Sequence, residues 1–184
     1  MSEGLTPVAV RAATERWLLE AVIGLNLCPF ARAPQLQGRV RLVVSEAKHV
    51  DGFLDDLDAE LLRLRDTSAD ALETTLLVHA GLFPDFFVFN DFANVVEDII
   101  DEHELGDDIA LVLFHPDLVF EGAAEDSPEN LPNRSPFPML HLLRTTSLER
   151  ALPGGDSSEI LARNRETLNA WSAADWRARW TALP

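Results

Sequence analysis

Ile109-Ala110-Leu111-Val112-Leu113-Phe114 is apolar at every position. A run this short and this apolar reads as a strand covered on both faces, and it predicts the central strand of a layered sheet. Working outward from it, Thr74-Thr75-Leu76-Leu77-Val78-His79-Ala80 is a second, mostly buried strand. Further upstream, Arg39–Ser45 alternates, with Val40, Leu42 and Val44 on one face. Between those two strands Leu54, Leu57, Leu61 and Leu64 recur at helical spacing. Aspartates 55, 56 and 58 open that helix and Arg63 and Arg65 close it, which complements the helix dipole. Phe83–Phe92 then runs into a helix through Val95, Val96, Ile99 and Ile100. Its phenylalanines are either a ligand lid or core, and their helical spacing favours core.

Strand, helix, strand, helix, strand implies parallel neighbours joined by crossovers. The expectation is an α/β protein: one layered domain over residues 1–184 with a small, mainly parallel sheet of three or four strands. Helices flank the sheet and dominate the C-terminus. Thr6-Pro7 starts the first helix, a hydroxyl cap followed by a residue with no N–H to satisfy, and that helix should end near Asn26. Pro116–Pro136 has no periodicity and is acidic, which predicts a mobile lid. Ser135 is expected to cap a helix opening at Pro136 and running through Met139, Leu142 and Leu143. Pro153-Gly154-Gly155 breaks the chain, Asp156 with Glu159 resembles a capping box, and Trp176 and Trp180 mark a last amphipathic segment.

The chain of 184 residues is 47% hydrophobic and carries a net charge of −16. That charge argues against a nucleic-acid partner, whose phosphates need a basic face, and against anionic lipid. No apolar run is long enough for a membrane span. The first residues, Met1–Pro7, lack the basic and apolar regions of a signal peptide, and a lone cysteine fits a reducing compartment. The expectation is a cytoplasmic protein of unassigned oligomeric state. An anionic small molecule would need a local arginine cluster to override the global field.

Ligands in parallel sheets sit beyond the carboxyl ends of the strands. His49, His79 and His115 mark that edge, and His115 opens the long loop. Cys28, in Leu27-Cys28-Pro29-Phe30, is either a small buried hydrophobe or a nucleophile or metal ligand in a rigid turn. Leu131-Pro-Asn-Arg-Ser-Pro-Phe-Pro-Met-Leu-His-Leu-Leu-Arg144 holds three prolines, an Asn-Arg-Ser triplet, a histidine and a second arginine. Arg134 could grip a carboxylate or phosphate in two-pronged fashion, while Ser135 reads as a helix cap. On the expected helix His141 and Arg144 share a face.

Together with Gly24–Ala31 and Phe114-His-Pro-Asp117, that last stretch resembles the bacterial family catalogued as domain of unknown function 1415. The resemblance runs from about Trp17 to about Leu168, and it implies no reaction. The expected site is therefore built from residues: Cys28, His115 and His141 as catalytic groups, with Asn133, Arg134 and Arg144 binding a small molecule. Cys28, His115 and His141 are expected to line one cleft near the carboxyl edge of the sheet, where the Asn133–Arg144 segment converges with them. Cys28, His115, His141 and Asp117 are donor types suited to zinc, iron or copper, but neither C-x-x-C nor H-x-x-x-H occurs, so no metal site is assigned. The competing expectation is a non-catalytic binding or assembly protein whose motifs only lock loops together.

Overall fold

The computed structural model describes residues 5–152 and 155–181. A four-stranded sheet has the order β1-β2-β4-β3, with β1 Val40–Val44, β2 Thr74–Val78, β3 Ile109–Phe114 and β4 Met139–Arg144. β1 and β2 pair in parallel, whereas β4 runs antiparallel to both β2 and β3. The sheet is thus mixed rather than mainly parallel. The three anticipated strands do run the same way, but a fourth is inserted against them.

That fourth strand replaces the helix expected after Ser135. Prolines at 136 and 138 remove helix donors, and the residues beyond them lie extended between β2 and β3, pairing across both ladders. Period two is invisible in Met139–Leu143 because both faces are buried. The apolar β3 differs from the expected central strand. Its two faces are covered, yet it lies at the sheet edge, and the fully buried strand is β2.

Helices cover each face. On one side lie α1 (Pro7–Trp17), its π-helical continuation Leu18–Ile23, α6 (Ser158–Leu168) and α7 (Ala173–Trp176). There Trp17, Leu76, Val78, Met139, Leu168 and Trp176 form one core. On the other side are α3 (Val50–Asp66) and α4 (Phe86–Glu102), whose Phe53, Leu57, Leu61, Phe89, Val96 and Ile100 pack on Leu77, Leu140 and Leu142. Phe83 and Phe89 are buried there, so the aromatic run is mostly core, with Phe87 left exposed. Short helices α2 (Arg32–Leu36) and α5 (Thr145–Ala151) complete the set. Thr6 caps α1 through Ala9, and Asn26, in the left-handed region at φ 55°, closes the first helical unit. Asp156 accepts from the Ser158 amide at the start of α6, while residues 153–154 of the expected break lie outside the described residues. No helix among the described residues is long and apolar enough to cross a membrane.

Candidate functional site

At the carboxyl edge, where the site was expected, the histidines are spent on main-chain partners. The Nδ1 of His79 accepts from the Gly81 and Leu82 amides at 3.0 and 2.8 Å, and its Nε2 lies 2.8 Å from the Ala47 carbonyl. His115 repeats the arrangement: Nδ1 accepts from the Asp117 amide at 3.0 Å and Nε2 donates to the Phe83 carbonyl at 3.0 Å. An accepting Nδ1 leaves a proton on Nε2 to donate, so each ring is satisfied at both nitrogens. Burial lowers the His115 pKa, against the pull of the Phe83 hydrogen bond and of Asp117 and Asp85. Each histidine is a bracket between two loops.

The Asn133–Arg144 residues are brackets too. Arg134 is 4% exposed. Its Nε donates to the Leu118 carbonyl at 3.0 Å and its Nη2 to the Glu125 carbonyl at 2.5 Å, while its own carbonyl accepts from the indoles of Trp17 and Trp176. Burial lowers its pKa, assisted by Arg177, while Asp117, Glu125 and Asp126 raise it. Asn133 donates from Nδ2 to the Leu113 carbonyl at 3.1 Å, fastening the loop to β3. Ser135 is not a helix cap; its hydroxyl donates to the Phe137 carbonyl at 2.6 Å. Arg144 donates to the carbonyls of Leu64, Thr67 and Leu72, a cation seated at the C-terminus of α3. Neither guanidinium faces a ligand cleft.

Residues 116–136 do not form a free lid either. Asn130 is fully buried; it accepts from the Phe120 amide and donates to the Ala124 and Glu125 carbonyls. Leu118 and Leu131 are buried, and Ser127 caps the short 3-10 turn Pro128–Asn133.

Cys28 and His141 do come together. Both line a pocket of about 270 Å³ between the sheet and the α1 side, walled by Trp17, Phe30, Leu76, Phe114, Leu143 and Leu148 among others. Its lining runs from Val40 and Thr74, at the amino ends of β1 and β2, to Phe114 at the end of β3, so it lies over the sheet face. His115 cannot join them. Along β3 its neighbour Phe114 faces the pocket, whereas His115 packs on Phe86 and Phe89 in the other layer. His141 and Arg144 likewise point to opposite faces, because three residues apart on a strand means opposite sides. Cys28, His115 and His141 therefore do not share one cleft. Among the described residues no three of His, Cys, Asp and Glu stand where they could hold a metal ion.

Within the pocket the electrostatics are simple. His141 is enclosed by protein yet keeps open area toward the pocket, and no hydrogen bond to its ring nitrogens occurs among the described residues. Burial alone lowers its pKa from 6.5 to about 4, so it is neutral at physiological pH. Burial also pushes the Cys28 thiol up, outweighing the Phe30 and Ala31 amides and the charge of Arg163, so it stays an S–H. Trp17, Phe30, Phe114 and the first turn of α5 were not anticipated as wall residues. Phe30, adjacent to the Cys28-Pro29 turn, was the one detectable signal.

Two other hollows are less suited to a ligand. One of about 230 Å³ lies beside the bracketed His115 and Asp117. The other, about 440 Å³, is lined by Arg11, Arg41 and Arg63, where Arg41 and Arg63 both turn to the buried carboxylate of Glu60.

Fold and pocket define an α/β protein with a mixed four-stranded sheet between two helical layers and one apolar recess holding a histidine and a cysteine. The family model described as Protein of unknown function (DUF1415) matches residues 9–178, and the chain belongs to that family. No curated protein and no solved structure matches it.

Proposed function

We propose that this is a cytoplasmic protein that binds a small, uncharged, largely apolar molecule in the pocket between the sheet and α1, with His141 as the polar contact. The observation that carries this reading is a neutral imidazole that makes no hydrogen bond among the described residues, set in a mostly apolar wall. Buried polar groups are nearly always paired, and an unpaired one facing open space is available to a ligand. The volume suits a compact ligand. An apolar cavity of about 150 Å³ already admits benzene, and drug-sized pockets begin near ~300 Å³. Charge argues the same way. Arg134 and Arg144, the expected anion grips, bind main-chain carbonyls, and no arginine or lysine lines the pocket. A protonated Cys28 with no base hydrogen-bonded to it favours binding over nucleophilic catalysis.

The test is a fragment screen on the full chain, following ligand NMR line broadening and melting temperature with indole, naphthalene and benzoate. The neutral aromatics should bind and stabilise, and His141→Phe, which keeps a comparable volume but removes the polar contact, should weaken indole binding while leaving naphthalene bound. Stabilisation by benzoate alone, persisting in His141→Phe, would defeat the proposal.

A further inference from the structure

Ser147 lies in the first turn of α5 and lines the same pocket. Its hydroxyl is buried and has no hydrogen-bond partner. A serine inside a helix ordinarily faces water or bonds back to the carbonyl four residues earlier, which here belongs to Leu143. Ser147 does neither among the described residues, and an unpaired buried hydroxyl destabilises the empty pocket. The other polar groups of the wall are engaged: Thr74 donates to the Leu142 carbonyl at 2.7 Å, and Glu73 is held by Arg39 at 2.5 Å. His141 and Ser147 are thus two unpaired polar side chains around one apolar space, both delivered by the β4–α5 segment.

Resting on the pocket being a small-molecule site, we infer that its ligand is a neutral ring compound bearing a hydroxyl or carbonyl group, and that Ser147 selects for that group. A purely hydrocarbon ligand would leave both side chains dry and unpaired. A carboxylate would meet no cation in the wall and would face Glu73. A neutral oxygen function satisfies the hydroxyl after one χ1 rotation of Ser147, and a two-ring body fills the remaining volume. The cost of the empty pocket's unpaired hydroxyl is relieved only when such a ligand is bound.

The experiment compares naphthalene with 2-naphthol on the full-length chain, in the parent, in Ser147→Ala and in Ser147→Thr, by titration of tryptophan emission alongside thermal melting. The parent should bind 2-naphthol about 10-fold more tightly than naphthalene. Ser147→Ala should lose most of that preference, keep its naphthalene affinity and melt no lower than the parent when empty. Ser147→Thr, which retains the hydroxyl, should keep the preference. Equal binding of the two probes by the parent, or an undiminished preference in Ser147→Ala, overturns the selection by Ser147 while leaving the pocket intact. A Ser147→Ala protein that melts well below the parent shows a structural hydroxyl and overturns it as well. Binding of neither probe removes the pocket reading and this inference together.

Discussion

His115 and His141 begin from the same chemistry and end in opposite states. His115 closes β3 at the carboxyl edge, with both ring nitrogens bonded to main chain. His141 sits mid-strand in β4 and lines a mostly apolar pocket, with no hydrogen bond to its ring among the described residues. At the edge that topology marks as the usual ligand site the histidines are spent on main chain, beside a hollow of about 230 Å³, whereas the pocket that holds His141 lies over the sheet face. A polar side chain at a strand end is therefore no pointer to a site until its partners are counted. What distinguishes the two regions is satisfaction, not residue type.

The largest effect should come from the bracketed region. Arg134→Ala removes a buried cation that joins the Leu118 and Glu125 carbonyls, and it should cost about 4 kcal/mol, or roughly 8–16 °C in melting temperature. Arg134→Lys should rescue only part of this, since an ammonium lacks the two-pronged geometry. A lysine variant melting like the parent would return Arg134 to the list of ligand-facing groups. The next effect belongs to the open region and is read by pH. His141 titrates near 6.5 when unfolded and at about 4 when folded, so the unfolded chain takes up the proton first. Stability should fall as pH drops from about 6.5 to 4, by about 3 kcal/mol in all, and this loss is absent above pH 6.5. His115 contributes with the same sign, its pKa also being lowered by burial. Urea unfolding of the parent and His141→Phe at pH 7 and pH 5 isolates the His141 share, because the variant should show a shallower decline.

A paired substitution at pH 7 sharpens the contrast. His115→Phe leaves the Phe83 carbonyl and the Asp117 amide unpaired and should cost about 2 kcal/mol. His141→Phe orphans nothing and should fall within about 1 kcal/mol of the parent, a comparable volume in an apolar setting. Equal losses in the two variants would mean that His141 has a structural partner and that the two regions do not differ in kind.

The α/β class, β1 through β3 and the helices α1, α3 and α4 were legible because each carries its own period, cap or dipole pattern. β4 was not. Its residues are buried on both faces, so neither period shows, and the Ser135-Pro136 pair imitates a helix start that the second proline contradicts. Misreading that one segment rotated His141 and Arg144 onto a common face and hid the antiparallel insertion. The candidate residues were chosen for chemistry, but side chains such as those of Arg134 and Asn133 serve backbone carbonyls that only the folded chain brings near. Cys28 and His141 line one pocket because the turn after Leu18–Ile23 folds over the sheet face that carries His141, a long-range fact with no local trace.

The smallest effect expected is at Cys28, and it bears on what the open region is for. The thiol lines the pocket, is partly buried and has its pKa raised by burial. Nucleophilicity at neutral pH requires thiolate, so a raised pKa means a smaller reactive fraction than a free cysteine has. Alkylation by iodoacetamide at pH 7 should accordingly run slower than for a model thiol, and slower again with a neutral aromatic probe bound. Cys28→Ala removes only a small, half-buried sulfur and should cost about 1 kcal/mol or less, leaving probe affinity within a few-fold. Alkylation faster than the model thiol at pH 7 would show an activated thiolate. The pocket would then be a nucleophilic centre in which His141 acts as base, and the contrast between bracketed edge and open face would be one between scaffold and catalysis. Slow alkylation with intact probe binding in Cys28→Ala keeps the open face a binding site, where the cysteine is part of the apolar wall and His141 the group that meets the ligand.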